Sequence, residues 1–469
     1  LGLAVACDVQ ENYLGFDEPL RTDARVVAQP SQDAGTPSPM RPPVRVPQPG
    51  SDDELDASIP GDDGVDPERD GQVVSDAGVD FSPADAGSER PYEASIPDMP
   101  TEPSPFEEVL GVSPEAVRAR VMVAYETLFH GDPESQAIYY ELDEERAYIF
   151  DVLHDDTRID ALGYGMMVTV QLDQQEEFDK LWRFTKEIFE YTEGPYTGYF
   201  HQICKPSGED CTAGSSIFGS MYVVTALLFA EGRWGNSEGV LDYGAQARGY
   251  LDVMLNKEEL SGGVVQGVTN LFDRDVLLPK HIPVEDSDNQ VGVGSVLPAF
   301  FEVWGMVTDE PFWFEAAQRG REFLQESAHP ETGLSPARTD YSGIPLPDED
   351  IFNESTYGVG LANALDFLWW GVDVGQVDLA DRRTSYFANY PSNPYPSIYK
   401  IDGQPLNDTP SGALVAHNGA TAAIATISER EGLVRRVWET PMPQGLYRFF
   451  DGINQMQALL VLGGYYRPF

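Results

Sequence analysis

The chain has 469 residues and carries 78 Asp and Glu against 30 Lys and Arg, a formal charge of −48. A field of that sign repels nucleic acid and anionic lipid, so neither is expected as a direct partner, whereas an uncharged glycan is compatible with it. Few of the basic residues are Lys, which suits either a salty medium that screens self-repulsion or a genome that favours Arg codons.

The first seven residues, Leu1-Gly2-Leu3-Ala4-Val5-Ala6-Cys7, place small and apolar side chains directly before a cysteine. That pattern matches the end of a bacterial lipoprotein signal, with Cys7 as the lipidated residue; a chance cysteine is the alternative. The expected location is the bacterial cell envelope, with membrane contact only through this lipid, since no apolar run is long enough to span a bilayer. Residues 8–105 are rich in Pro, Asp, Gly, Ser and Ala, and the stretch 51–71 holds nine acids and one Arg. Such a segment buries too little apolar surface to offset its ordering entropy, and its like charges keep it extended. It reads as a disordered linker between residues 1–7 and a folded domain at 106–469.

In the folded part, Ser113-Pro114 marks a helix start, with Ser as the cap and Pro in the first turn. Apolar positions then recur to about Leu128. Residues 137–150 alternate around Asp143-Glu144-Glu145 and predict a β-hairpin. Helical periodicity dominates from there. In 175–191, Phe178, Leu181, Trp182, Ile188 and Phe189 share one face. Further helices are expected near 158–173, 216–231, 241–255, 295–307, 310–326, 355–370, 377–390, 411–428 and 446–463. Cys204 and Cys211 flank the turn-forming KPSGED, and in an exported chain a small disulfide loop is the first reading. A metal site would need more ligands than the nearby His201, and two free thiols are the remaining alternative.

The segment 158–205, with Tyr164-Gly165-Met166-Met167 at its centre, resembles the first active-site segment of glycoside hydrolase family 8, the inverting β-glycanases. The likeness extends over about residues 136–469. Its landmarks are Gly198-Tyr199-Phe200, Ala226-Leu227-Leu228-Phe229-Ala230 with Arg233-Trp234-Gly235, His329-Pro330-Glu331-Thr332-Gly333-Leu334, Tyr399-Lys400-Ile401-Asp402-Gly403 and Phe450-Asp451-Gly452. The resemblance implies an all-α fold, an (α/α)6 barrel of six inner helices ringed by six outer ones, with a glycan cleft across one end. Its nearest branch trims xylose from the reducing end of xylo-oligosaccharides, so an oligosaccharide is the implied ligand. No cofactor and no metal are expected, and the chain is expected to be a monomer.

The family's chemistry uses one carboxylic acid to protonate the leaving oxygen and a second, roughly 6.5–9.5 Å away, to activate a water. The resemblance puts Asp160 where the family has a glutamic acid as proton donor. It is shorter by one C–C bond, about 1.5 Å; a plain helix-capping Asp is the competing reading. A third acid that helps hold the distorted sugar is replaced by Phe218, which stacks on a sugar or fills core space. Ser287-Asp288 best fits the family's base, with Asp286 or Glu285 as substitutes. A solvated acidic loop is the alternative, and a calcium loop a third reading, weakened by the missing Gly at the turn position. A Tyr-Arg pair of the family is Tyr357-Gly358 here, and a Trp of its cleft is Gln202. Tyr164, Phe218, Gln202, Tyr357 and Asp286 are the implied substrate contacts. The chain lacks G-x-S-x-G, H-E-x-x-H, P-loop and C-x-x-C motifs, which leaves other hydrolytic chemistries without local support. Three readings follow. One is a family-8-like domain that binds an oligosaccharide but hydrolyses it poorly. The second is a working inverting glycosidase, and the third a scaffold lipoprotein.

Overall fold

The computed structural model describes residues 102–390 and 395–469. Cys7 and the linker up to residue 101 lie outside the described residues. The first helix, α1 (Pro105–Leu110), is fixed by a reciprocal cap. The Ser104 hydroxyl accepts from Glu107 N–H at 3.3 Å, and the Glu107 carboxylate accepts from Ser104 N–H at 3.0 Å. α2 (Pro114–His130) begins as expected, with Ser113 accepting from Ala116 N–H.

Eleven helices follow: α3 (Ile159–Gln171), α4 (Gln175–Phe184), α5 (Ile217–Trp234), α6 (Tyr243–Ser261), α7 (Pro298–Thr308), α8 (Pro311–Ser327), α9 (Gly358–Trp370), α10 (Gln376–Ala388), α11 (Gly412–Ala422), α12 (Arg430–Glu439) and α13 (Arg448–Leu462). The pattern 175–191 continues past α4 as a π-helical turn, Thr185–Phe189. The pattern 411–428 stops early, at Ala422, because the Thr426 N–H and hydroxyl both bond the Asp381 carboxylate at 2.6 Å and draw the chain into turns. The hairpin pairs Tyr139–Glu141 with Ala147–Ile149 antiparallel.

Two kinds of helix alternate along the chain. In α13 every residue from Gly452 to Leu462 is buried, so this helix has partners all round. α12 buries only Leu433, Val434 and Val437, one face of an otherwise polar helix. The fully buried helices close a ring: α3 packs on α5, α5 on α7, α7 on α9, α9 on α11, α11 on α13, and α13 back on α3. Outside them α2 lies on α13, α4 on α3, α6 on α5, α8 on α7, α10 on α9 and α11, and α12 on α11. The result is an (α/α)6 barrel, with α1 set against α12, α13 and α2.

The connections differ at the two ends. From an inner helix to the next outer one they take two to eight residues. From outer to inner they take 23 to 36, except for the eight residues before α13. Alternating helices with short returns run antiparallel, so the long loops gather where all six inner helices begin. Short strand pairs stitch neighbouring loops there. Thr157–Arg158 pairs with Ile203–Cys204, Val291–Gly292 with Arg338–Thr339, and Ile351–Phe352 with Tyr399–Lys400. No described helix is long and apolar enough to cross a membrane.

Candidate active site

The mouth of the barrel is built from the first turns of the inner helices. Asp160 stands in the first turn of α3, and α5 crosses it closely. A Cβ on Gly219 would lie 2.5 Å from both the Asp160 amide nitrogen and Oδ1, so glycine is required for that approach. The Ser216 hydroxyl donates to Asp160 Oδ1 at 3.0 Å. Oδ2 is enclosed and has no hydrogen-bond partner. Burial pushes this carboxyl's pKa up, against the opposing pull of Ser216 and the Arg158 guanidinium. A carboxyl whose hold on its proton is strengthened and which keeps one oxygen unengaged is suited to proton donation.

Tyr164 lies one turn further along α3. Its ring meets Phe218 edge-on at 5.7 Å and Tyr222 at 4.7 Å. Phe218, in the first turn of α5, is half-buried and sets its ring against Tyr164 at 5.7 Å and Tyr222 at 4.9 Å. Gln202 is buried beside the start of α3, its carbonyl accepting from Ile159 N–H at 3.0 Å. Asp160, Tyr164, Phe218 and Gln202 thus form one wall. The same wall carries the Cys204–Cys211 disulfide. His201 lies beside both sulfurs, but the disulfide leaves no thiolate for a metal there.

Tyr357 caps α9, the inner helix opposite α3 in the ring. It is buried, its hydroxyl donates to the Ser397 carbonyl, and its own carbonyl accepts from Arg383 at 3.0 Å. Next to it Gly358 leaves open space, where a Cβ would meet only His417 Cε1 at 3.8 Å. His417 donates its Nε2–H to Asn454 Oδ1 at 2.7 Å, and burial lowers its pKa to about 3. The Arg383 guanidinium is likewise lowered to about 9 by burial.

The acidic segment 285–288 is placed differently. Glu285–Ser287 forms a 3₁₀ turn, pinned by the Ser287 hydroxyl accepting from Ile282 N–H. Asp288 pairs with the buried Lys280 ammonium at 2.6 Å while its own side chain is 63% exposed. Asp286 is exposed, its carbonyl accepting from Gln290. Residues 291–296, which lead directly into α7, include no acid.

Two other acids stand at the mouth that the sequence reading did not single out. Asp451, in the first turn of α13, accepts from Ala413 N–H at 2.9 Å, and burial raises its pKa. Glu354 lies in the turn that enters α9. Burial pushes its pKa up to about 7, against the smaller opposing pull of its own N–H. Both act on the Tyr357 phenol, whose pKa they help to raise after burial itself. The signal available in the sequence was an acid just before or within the first turn of an inner helix.

A closed double ring of helices with carboxyl groups and aromatic rings at one mouth defines an (α/α)6 barrel. Residues 153–351 match the family model described as glycosyl hydrolases family 8. The chain is 33% identical over 370 residues to the reducing-end xylose-releasing exo-oligoxylanase Rex8A of Paenibacillus barcinonensis, covering 76% of this chain and 94% of that one. It is 22% identical over 310 residues to endoglucanase C of Ruminiclostridium cellulolyticum, covering 66% and 64%. The solved structure of Rex8A complexed with xylose superimposes with a TM-score of 0.73 at 32% identity, over 78% of this chain and 97% of that one. A GH8 xylobiose complex from Teredinibacter turnerae gives a TM-score of 0.74 at 30% identity, with the same coverage. The chain belongs to glycosyl hydrolases family 8.

Proposed function

We propose that this barrel binds β-1,4-linked oligosaccharides of the xylo-oligosaccharide class at its mouth and hydrolyses them far more slowly than a typical glycosidase. The observation that carries the reading is the wall formed by Asp160, Tyr164 and Phe218. It keeps a protonatable carboxyl beside aromatic surface, yet the carboxyl is one bond short and a phenyl stands where polar contact is needed. Misplacing a reacting group by about 1 Å costs on the order of 10²-fold in rate, and losing a preorganised polar partner costs about 10²–10³-fold. Xylose-complexed and xylobiose-complexed structural relatives support the ligand class. The lipid on Cys7, and with it a cell-envelope location, belongs to the same proposal.

The test combines calorimetry with a repair series. Xylotetraose should bind wild type, with slow release of reducing sugar. Asp160→Glu, Phe218→Asp and the double variant should each raise turnover, the double variant by at least tenfold. Turnover by wild type at ordinary enzyme rates would instead establish an active inverting glycosidase, a reading favoured by the raised pKa of Asp160. Absence of both binding and turnover with β-1,4 glycans would leave a scaffold role.

A further inference from the structure

We propose that Glu354 is the general base of whatever hydrolysis this mouth performs, working across the cleft from Asp160. This rests on the oligosaccharide reading above and adds to it the residue that activates water.

Position comes first. α3 and α9 are three places apart in a ring of six, hence opposite. Neighbouring helices pack with axes about 8–10 Å apart, so opposite axes lie about 16–20 Å apart. Side chains that reach inward from opposite rims shorten that span toward the gap of roughly 6.5–9.5 Å that an inverting pair leaves for a sugar ring and a water. Glu354 occupies the turn that delivers the chain into α9, and the Ser355 carbonyl is wedged against Gly294 on the approach to α7, within 1.9 Å of where a Cβ would sit. That contact holds the turn in the rim.

Availability comes second. The Asp288 carboxylate is engaged by Lys280 at 2.6 Å. Asp451 is engaged by the Ala413 amide at 2.9 Å. Glu354 is half-buried, and no side chain among the described residues pairs with its carboxylate. Withdrawal from water also moves its titration to about 7, close to where a general base works best.

The step balances as follows. Glu354, ionised, takes a proton from a water. The water oxygen bonds to the anomeric carbon from the face opposite the leaving group. The glycosidic C–O bond breaks, its electron pair passes to the leaving oxygen, and that oxygen takes the proton of Asp160. Glu354 ends protonated and Asp160 ionised, and exchange with solvent resets both.

The experiment uses xylotetraose and the full chain. Wild-type turnover should rise with pH through about 7. Glu354→Gln should lower turnover at least tenfold, remove that rise and leave the calorimetric Kd within about twofold of wild type, which also reports that the variant is folded. Glu354→Asp should recover part of the rate. Glu315→Gln on the outer helix α8 serves as the control. Unchanged turnover in Glu354→Gln would overturn the assignment, as would loss of turnover in Asp288→Asn without loss in Glu354→Gln. A wild type that binds xylotetraose but shows no turnover after prolonged incubation would overturn it too while leaving the binding reading intact. A wild type that does not bind at all removes the binding reading first, and this inference falls with it.

Discussion

The Lys280 ammonium is buried, and its partners are the Asp288 carboxylate at 2.6 Å and the Thr269 hydroxyl at 3.2 Å. An enclosed cation tolerates the loss of its counter-ion poorly, because the remaining charge keeps its desolvation cost without the compensating attraction. Asp288→Asn should lower unfolding free energy by about 1–3 kcal/mol, read from urea denaturation. Glu354 and His417 make opposite contributions to the pH dependence of stability. Folding raises the Glu354 pKa from 4.5 to about 7. The folded chain thus holds that proton more tightly, and stability falls as pH rises from about 4.5 to 7. Glu354→Gln should raise the melting temperature at pH 8 and leave it unchanged at pH 4. His417 is lowered from 6.5 to about 3, so its contribution is complete above pH 6.5 and is lost as pH falls toward 3. His417→Gln should flatten the acid side of the stability profile.

Between elements, the tightest constraint is the crossing of α3 and α5. A Cβ at Gly163 would come within 2.8 Å of the Tyr222 Cβ and 2.9 Å of the Gly219 carbonyl. Gly219→Ala should cost about 1–3 kcal/mol through overpacking and weaken xylotetraose binding by displacing Asp160, measured by melting and calorimetry on the same protein. Which helices could be read in advance follows from how each one is stabilised. The eleven helices expected between 113 and 463 that carry a broad apolar face, from α2 to α11, or apolar residues all round, as in α13, stood out by period. α12 did not, since REGLVRRVWE offers only three buried apolar positions amid its charges. α1 escaped because six residues hold too little pattern, although Ser104 and Glu107 already spelled its cap. At the mouth, the positions of Asp160 and Phe218 were legible because they lie on helices whose neighbours have a recognisable order. Glu354 was not, because an acid in a loop looks solvated until three-dimensional packing encloses it. Ser287-Asp288 matches the family's Ser-Asp by sequence, and nothing in the sequence announces the Lys280 that faces Asp288.

For the molecule as a whole, the acidic excess predicts a salt response. Screening of like charges should raise the melting temperature between low salt and about 0.5 M NaCl, and no rise in differential scanning fluorimetry would contradict that. The start of the barrel can be located in the same way. Phe106 is fully buried and meets the Trp438 ring at 5.0 Å, so α1 is part of the folded body. A chain beginning at residue 102 should melt with the full-length protein, whereas one beginning at residue 112 should melt several degrees lower, having lost the burial of a Phe worth about 1.5–3 kcal/mol.

Closing the ring also sets an order in time. The bond from the Arg120 guanidinium to the Thr440 carbonyl spans 320 positions, and the one from Gln171 to the Arg467 carbonyl spans 296. At a synthesis rate of about 5–20 residues per second, the ribosome takes about 15–60 s to supply the partner that α3 needs on its second flank. Throughout that interval the earliest helices carry bare apolar surface, and local contacts alone do not cover it. A chain that ends before residue 448 leaves α3 and α11 each without a neighbour, so a lesion at the far end of the sequence is felt first at its beginning.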